Sequence, residues 1–202
     1  MTARRIIKGK EKNDTYRVRK QEMFMKGFLF FVVAICLSLK GFSQKYDAEK
    51  TYVSFYSDAP LEDIKAENKK AVSIFDAATG EIAFVIPMKQ FQFPKSLMQQ
   101  HFNEKYVESE KFPMSTFEGH IVGFKPDVPG SQQVNAQGKL TIHGVTRDID
   151  VPGTIEVRGK DLSMKSKFVV KVAHYDIDIP QLVFQKIAEE VEVTIEFSYK
   201  QK

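Results

Sequence analysis

From Thr51 onward, hydrophobic and polar positions alternate with the two-residue period of strands that have one dry and one wet face. The pattern is clearest near the C-terminus. Val191, Val193, Ile195, Phe197 and Tyr199 share one side there, with Glu190, Glu192, Thr194, Glu196 and Ser198 opposite. The same period groups Thr51, Val53 and Phe55, then Ile82, Phe84, Ile86 and Met88, then Phe117 with Ile121. It continues through Val134, Ala136, Gly138, Leu140 and Ile142, and then through Ile149, Val151, Ile155 and Val157. Leu162, Met164, Phe168, Val170 and Val172 align in turn. A further strand is predicted from Ala71 to Asp76, after a polar stretch, LEDIKAENKK.

Turn signals fall at DAATG, GFKPDVPGSQ, HGVTRD and RGKD, and the PG at 152 and 153 marks a bulge or kink. About eight amphipathic strands result, and their alternation fits antiparallel pairing with one solvated face. Closing such a sheet into a barrel hides its edges, and a sandwich is the alternative. The fold class is therefore all-β with one or two short helices, an eight-stranded antiparallel β-barrel.

Two segments break the alternation. PKSLMQQHFNEKYVESEKFP carries Leu97, Met98, His101, Phe102 and Tyr106 at helical spacing. IPQLVFQKIAEE, with Leu182, Val183, Phe184 and Ile187, is a second short helix or loop. Either can close a barrel end or pack on its wall.

The N-terminal residues have the form of an export leader. From Met25 the chain reads MKGFLFFVVAICLSLKGFSQ, one Lys and then an apolar run from Phe28 to Leu39, with small residues at Gly41 and Ser43. Cleavage after Ser43 is expected, leaving residues 44–202 as the barrel domain and 1–43 as a basic extension and signal peptide. The run is shorter than the roughly 20 residues a membrane span needs. Net charge is +4, from 30 basic against 26 acidic residues, and much of the excess lies before residue 46, so the basic balance does not point to nucleic acid. Cys36, the single cysteine, lies within the apolar run, and Ile35 stands where a lipoprotein signal wants a small residue. The mature chain then has no thiol for a disulfide or a metal.

The chemistry-bearing residues are sparse. His101, His120, His143 and His174 are scattered, and no GxSxG, HExxH or GxxxxGK motif occurs. Parity places His143 on the wet face, in a turn beside Gly144. It places His174 on the dry face with Phe168, Val170 and Val172, where it serves as a structural histidine or bonds a ligand headgroup. Asp176 and Asp178 form a solvated face or end a hairpin. The inward faces are aliphatic and aromatic, and a barrel of this size is either packed or holds one small ligand. Gly119, Gly123, Gly138 and Gly144 on those faces are expected to free volume for a cavity.

The stretch GKLTIHGVTRDIDVPG resembles the signature of the YceI-like family of bacterial polyisoprenoid-binding proteins. The pattern is close to G-x-L-T-[IL]-x-G-V-T-[RK], and Gly138, Leu140, Thr141, Gly144, Val145, Thr146 and Arg147 match it. YVESEKFPMSTF, with Phe112, Pro113 and Phe117, is similar to the family's passage from helix into strand, and TYVSF to its first strand with Thr51 in place of Ser. The chain departs from the family at Leu61 to Lys70 and at LVFQKIAEE. The resemblance implies an extended lipocalin-like barrel, periplasmic or secreted, that holds an isoprenoid or similar amphiphilic lipid without covalent chemistry.

Strand faces then nominate Phe84, Ile86, Phe117, Ile121, Leu140, Ile142, Phe168, Val170, Val193 and Ile195 as the lining, with His174 beside them. Leu97, Phe102 and Tyr106 are placed to close one end. The expected partner is an apolar lipid, with no cofactor, metal or nucleic acid, and the sequence leaves room for a homodimer and for transient membrane contact. Two other readings stand beside this one. One is an envelope protein-interaction domain with a packed core. The other is a lipid-acting enzyme using His174 with Asp176.

Overall fold

The structure, a computed structural model, describes residues 45–58, 63–178 and 190–201. The expected leader and the segment bearing Leu182, Val183, Phe184 and Ile187 lie outside the described residues.

The strands are β1 (Lys45–Ser57), β2 (Ile64–Asn68), β3 (Val72–Asp76), β4 (Glu81–Pro87), β5 (Met114–Val122), β6 (Gly130–Ile142), β7 (Val145–Arg158), β8 (Asp161–Lys171) and β9 (Glu190–Gln201), with one helix, α1 (Ser96–His101). Neighbours pair antiparallel in the order β2-β1-β3-β4-β5-β6-β7-β8-β9, and β1 also pairs with β9, which closes the ring. β2 and β3 pair with opposite ends of β1, so they act as one stave in two pieces. The result is a closed eight-stave barrel of the lipocalin-like kind.

The polar stretch LEDIKAENKK contains a strand that alternation does not reveal. β2 pairs Val53–Ser57 with Asn68–Ile64, yet its inward residues, Ile64, Ala66 and Asn68, include a single large apolar side chain. Asn68 is fully buried and satisfied: its amide donates to the Pro87 carbonyl (2.8 Å), and its oxygen accepts from the Lys70 N–H (2.8 Å). Thr51 holds the other side of the break by donating to the Ala71 carbonyl (2.9 Å). A polar residue here supplies the bonds that the broken ladder lacks.

Three other expectations change. The HGVTRD turn signal shrinks to two residues, because only His143 and Gly144 leave the ladder, both with positive φ (51° and 78°), a hairpin turn of the primed type. The PG at 152 and 153 makes no bulge, since β6 and β7 stay in register throughout. Pro152 instead ends the β7–β8 ladder: its carbonyl accepts from the Ser166 hydroxyl, and its nitrogen, on the same side, has no N–H to offer β8. Gly119 and Gly138 do not open the interior either. They meet across β5 and β6, where a Cβ on Gly138 would stand 2.3 Å from the Glu118 carbonyl oxygen and 2.6 Å from Gly119 Cα. These glycines let two backbones crowd together at a bend of the wall.

Burial along the inner face of β9 deepens from half-buried at Val191 to 2% exposed at Tyr199. The lower barrel is filled by closely packed rings. Phe84 packs on Phe117 (centroids 5.1 Å apart) and Phe197 (5.6 Å), while Phe75 packs on Phe124 (5.5 Å) and Tyr199 (6.3 Å). Ser73 donates to the Ala83 carbonyl (2.9 Å), so the Tyr199 hydroxyl donates to Ser73 Oγ (2.7 Å). Burial holds the Tyr199 phenol well above its usual value.

Gly138→Ala should cost about 1–3 kcal/mol through forced backbone movement, measured by urea unfolding, and an unchanged midpoint would contradict the close crossing. Tyr199 keeps its proton in the fold at a pH where the unfolded chain loses it. Its contribution is therefore full below about pH 10 and declines as pH rises beyond that. Tyr199→Phe should cost about 1 kcal/mol at neutral pH and flatten the alkaline loss of stability, followed by denaturation across pH.

Candidate ligand-binding site

Above the ring-filled floor the barrel is hollow. The cavity has a volume of about 600 Å³ and a predominantly apolar lining, within the roughly 300–1,000 Å³ typical of small-molecule sites. β4 contributes Phe84 and Ile86, β6 Leu140 and Ile142, β8 Phe168 and Val170, and β9 Val193 and Ile195. α1 adds Leu97, and the wider turn after it, Phe102–Tyr106, adds Phe102 and Tyr106. The cavity has this lining because each strand places every second residue inward, and the inward positions at this height are mostly aliphatic or aromatic.

Phe117 and Ile121 sit lower and face a second, smaller void of about 50 Å³ instead. His174 departs from its expected place. β8 ends at Lys171, and Val172–Tyr175 forms a 3₁₀ turn that cancels strand parity and leaves His174 exposed while Tyr175 is buried. Neither His174 nor Asp176 lines the cavity, and none of Gly119, Gly123, Gly138 and Gly144 does so.

The mouth was legible only in part. Val53, Phe55 and Met88 were on dry faces, but Phe91 and Phe93 lie outside regular strands and also reach the cavity. Gln92 between them bridges to Glu67 of β2 (N–H···O 2.8 and 3.1 Å), which turns both rings the same way. With Phe55 and Phe102 they form a four-ring cluster: Phe55 stacks on Phe102 at 5.5 Å and meets Phe91 at 5.3 Å, while Phe93 lies 5.0 Å from Phe102. An F-x-F spacing just before a helix was the available signal. Lys95 and His101 add polar groups to this lining, and burial raises the Tyr106 phenol above its usual value.

The signature residues do not line the cavity wall as a group. Several of them build a latch at its rim. His143 is not solvent-facing: its side chain is 10% exposed, with Nδ1 donating to the Tyr175 carbonyl (3.1 Å) and Nε2 2.9 Å from Glu108 Oε2. Its ring meets Phe112 edge-on at 4.4 Å, and a Cβ on Gly144 would stand 2.5 Å from that same ring. Arg147 Nε donates to the His174 carbonyl (2.9 Å). The β6–β7 turn thus joins the loop after α1 to the 3₁₀ turn after β8. Glu108, His143 and Asp176 all have φ between 42° and 52°, the left-handed region that non-glycine residues occupy only when their surroundings hold them there.

Among the described residues, no group of three His, Cys, Asp or Glu could hold a metal ion, and no helix is long and apolar enough to cross a membrane.

Fold and cavity together define a lipocalin-like barrel with an apolar internal pocket. The YceI-like domain model matches residues 44–199, and the chain belongs to that family. The solved structure of BcnA from Burkholderia cenocepacia is similar (TM-score 0.63, 20% identity, 73% of this chain and 95% of that one). So is a polyisoprenoid binding domain from Saccharophagus degradans implicated in plant cell wall breakdown (0.66, 15%, 78% and 98%). The YCEI protein of Campylobacter jejuni aligns with a TM-score of 0.58 at 17% identity, over 70% of this chain and 87% of that one. At these identities the structures show a shared fold. No curated protein matches the sequence.

His143→Ala should cost about 1–3 kcal/mol, chiefly because it removes the donor to the carbonyl of buried Tyr175, while the more exposed Glu108 carboxylate returns to water. Chemical denaturation checks this, and wild-type stability in the variant would show the latch to be idle.

Proposed function

We propose that the chain is an exported, non-enzymatic carrier that buries the tail of an isoprenoid or similar amphiphilic lipid in its barrel. The carrying observation is the cavity of about 600 Å³, walled mainly by aliphatic and aromatic side chains and floored by packed rings. Burying a methylene there contributes roughly 0.8 kcal/mol, so a tail alone supplies strong binding without any proton transfer. The polar groups near the mouth, Lys95 and His101 among them, suit a headgroup left close to water. Polyisoprenoid binding by the Saccharophagus degradans domain, which shares the fold, supports the ligand class. Export rests on the leader pattern before Gln44, and the periplasm or the cell exterior follows from it.

The test is lipid mass spectrometry on protein expressed with its own leader and purified without detergent. A stoichiometric isoprenoid, quinone or fatty-acid species is expected. Val170→Trp, which fills the cavity, should lower the bound fraction several-fold, whereas Val169→Trp on the exposed outer face should leave it unchanged. No lipid in any preparation, with no uptake of an added prenyl chain, would overturn the carrier reading.

A further inference from the structure

The wall of the barrel has a seam. The β7–β8 ladder runs from the Arg158–Asp161 pair to Gly153–Ser166 and stops. Its neighbours do not stop there: β6–β7 continues to Ile142–Val145, and β8–β9 to Lys171–Glu190. Among the described residues, Val145–Pro152 and Lys167–Lys171 therefore have no strand pairing with each other. Charges beside the seam are bonded away from it, Asp148 to Lys139 (3.0 Å) and Lys167 to Glu192 (2.8 Å).

Directly inside this seam lies the smaller void of about 50 Å³, whose accessible lining is wholly apolar. Ile149, Val151 and Phe168 face it and are only half-buried, although all three point inward. The void shares three wall residues with the main cavity: Phe84, Phe168 and Ile195. Phe84 is clamped between Phe117 and Phe197. Ile195 is branched at Cβ and stiff. Phe168 has no ring partner among the described residues and stands beside backbone unpaired on its β7 side, so of these three it has the most freedom to turn.

We propose that the void under the β7–β8 seam is a terminal subsite for the end of the bound apolar tail, and that Phe168 is the gate that sets how long a tail the barrel accepts. This rests on the carrier reading above. With Phe168 in its present rotamer the tail ends against the ring. With the ring turned toward the seam, cavity and void become one channel. The void alone has room for about two groups of water size, and the displaced ring frees more.

The test uses the full chain, stripped of bound lipid, and prenyl alcohols of increasing length (geraniol, farnesol, geranylgeraniol, solanesol), scored by displacement of a fluorescent naphthalene sulfonate. Each buried methylene strengthens binding roughly four-fold until room runs out. Phe168→Ala should bind short alcohols more weakly than wild type, having lost ring contacts. It should bind alcohols beyond the wild-type limit at least ten-fold more tightly. Adding Ala136→Leu, which fills the void from β6, should cancel the long-chain gain and leave the short-chain loss in place. Thermal unfolding of each variant checks that the barrel is intact. The same fold-change at every length, or a long-chain gain that survives Ala136→Leu, would overturn the proposal. If wild type binds no alcohol of any length, the carrier reading falls and this proposal falls with it.

Discussion

Pairing of β1 with β9 is the constraint on which the rest depends. It runs from Tyr46–Gln201 to Tyr56–Glu192 and turns an open sheet into a closed ring, leaving unpaired backbone at the β7–β8 seam. Once the ring is closed, every second residue of each stave faces a space that cannot be shared with water unless the barrel leaves it an opening. The sequence fills the lower part of that space with rings and leaves the upper part lined but unfilled. Tyr199 and Phe197 on β9 belong to the floor, and Ile195 and Val193, one and two steps up, belong to the cavity.

Closure also explains where polar residues are tolerated inside. Asn68 and Thr51 bond the carbonyls and N–H released where the second stave breaks. Within the floor Tyr199 donates to Ser73, which in turn donates to the Ala83 carbonyl. Each is a local answer to a geometric cost of curvature, and each is anchored to main chain. The outer ion pairs between β8 and β9, such as Lys165–Glu196 (3.2 Å), sit in water and contribute little by comparison.

Much of this was legible in the alternation itself. Long staves with consistent faces, β6, β8 and β9 above all, gave both the barrel and the wall of the cavity. The misreadings fall where side-chain period stops carrying information. IKAEN shows no clear hydrophobic face because Ile64 is its one large apolar inward residue, followed by an alanine and a hydrogen-bonded asparagine. His174 was misplaced because the strand ends three residues earlier, and a 3₁₀ turn rotates the side chains beyond Lys171 out of strand parity. Gly119 and Gly138 were read as missing volume when they mark two backbones in contact, a distinction that only register reveals. The signature around His143 was recognisable as a pattern, but its role in tying three mouth segments together depends on Glu108 and Tyr175, each more than thirty residues away.

The central claim is that the upper barrel is a container and not a packed core. The most direct measurement is a crystal structure of the protein purified without detergent, read for density inside the barrel. The account predicts continuous, unbranched or regularly branched tubular density between the Phe55–Phe91–Phe93–Phe102 cluster and the ring of Phe84. Side chains of Leu140, Val170 and Ile195 collapsed into that space, leaving no cavity, would contradict it.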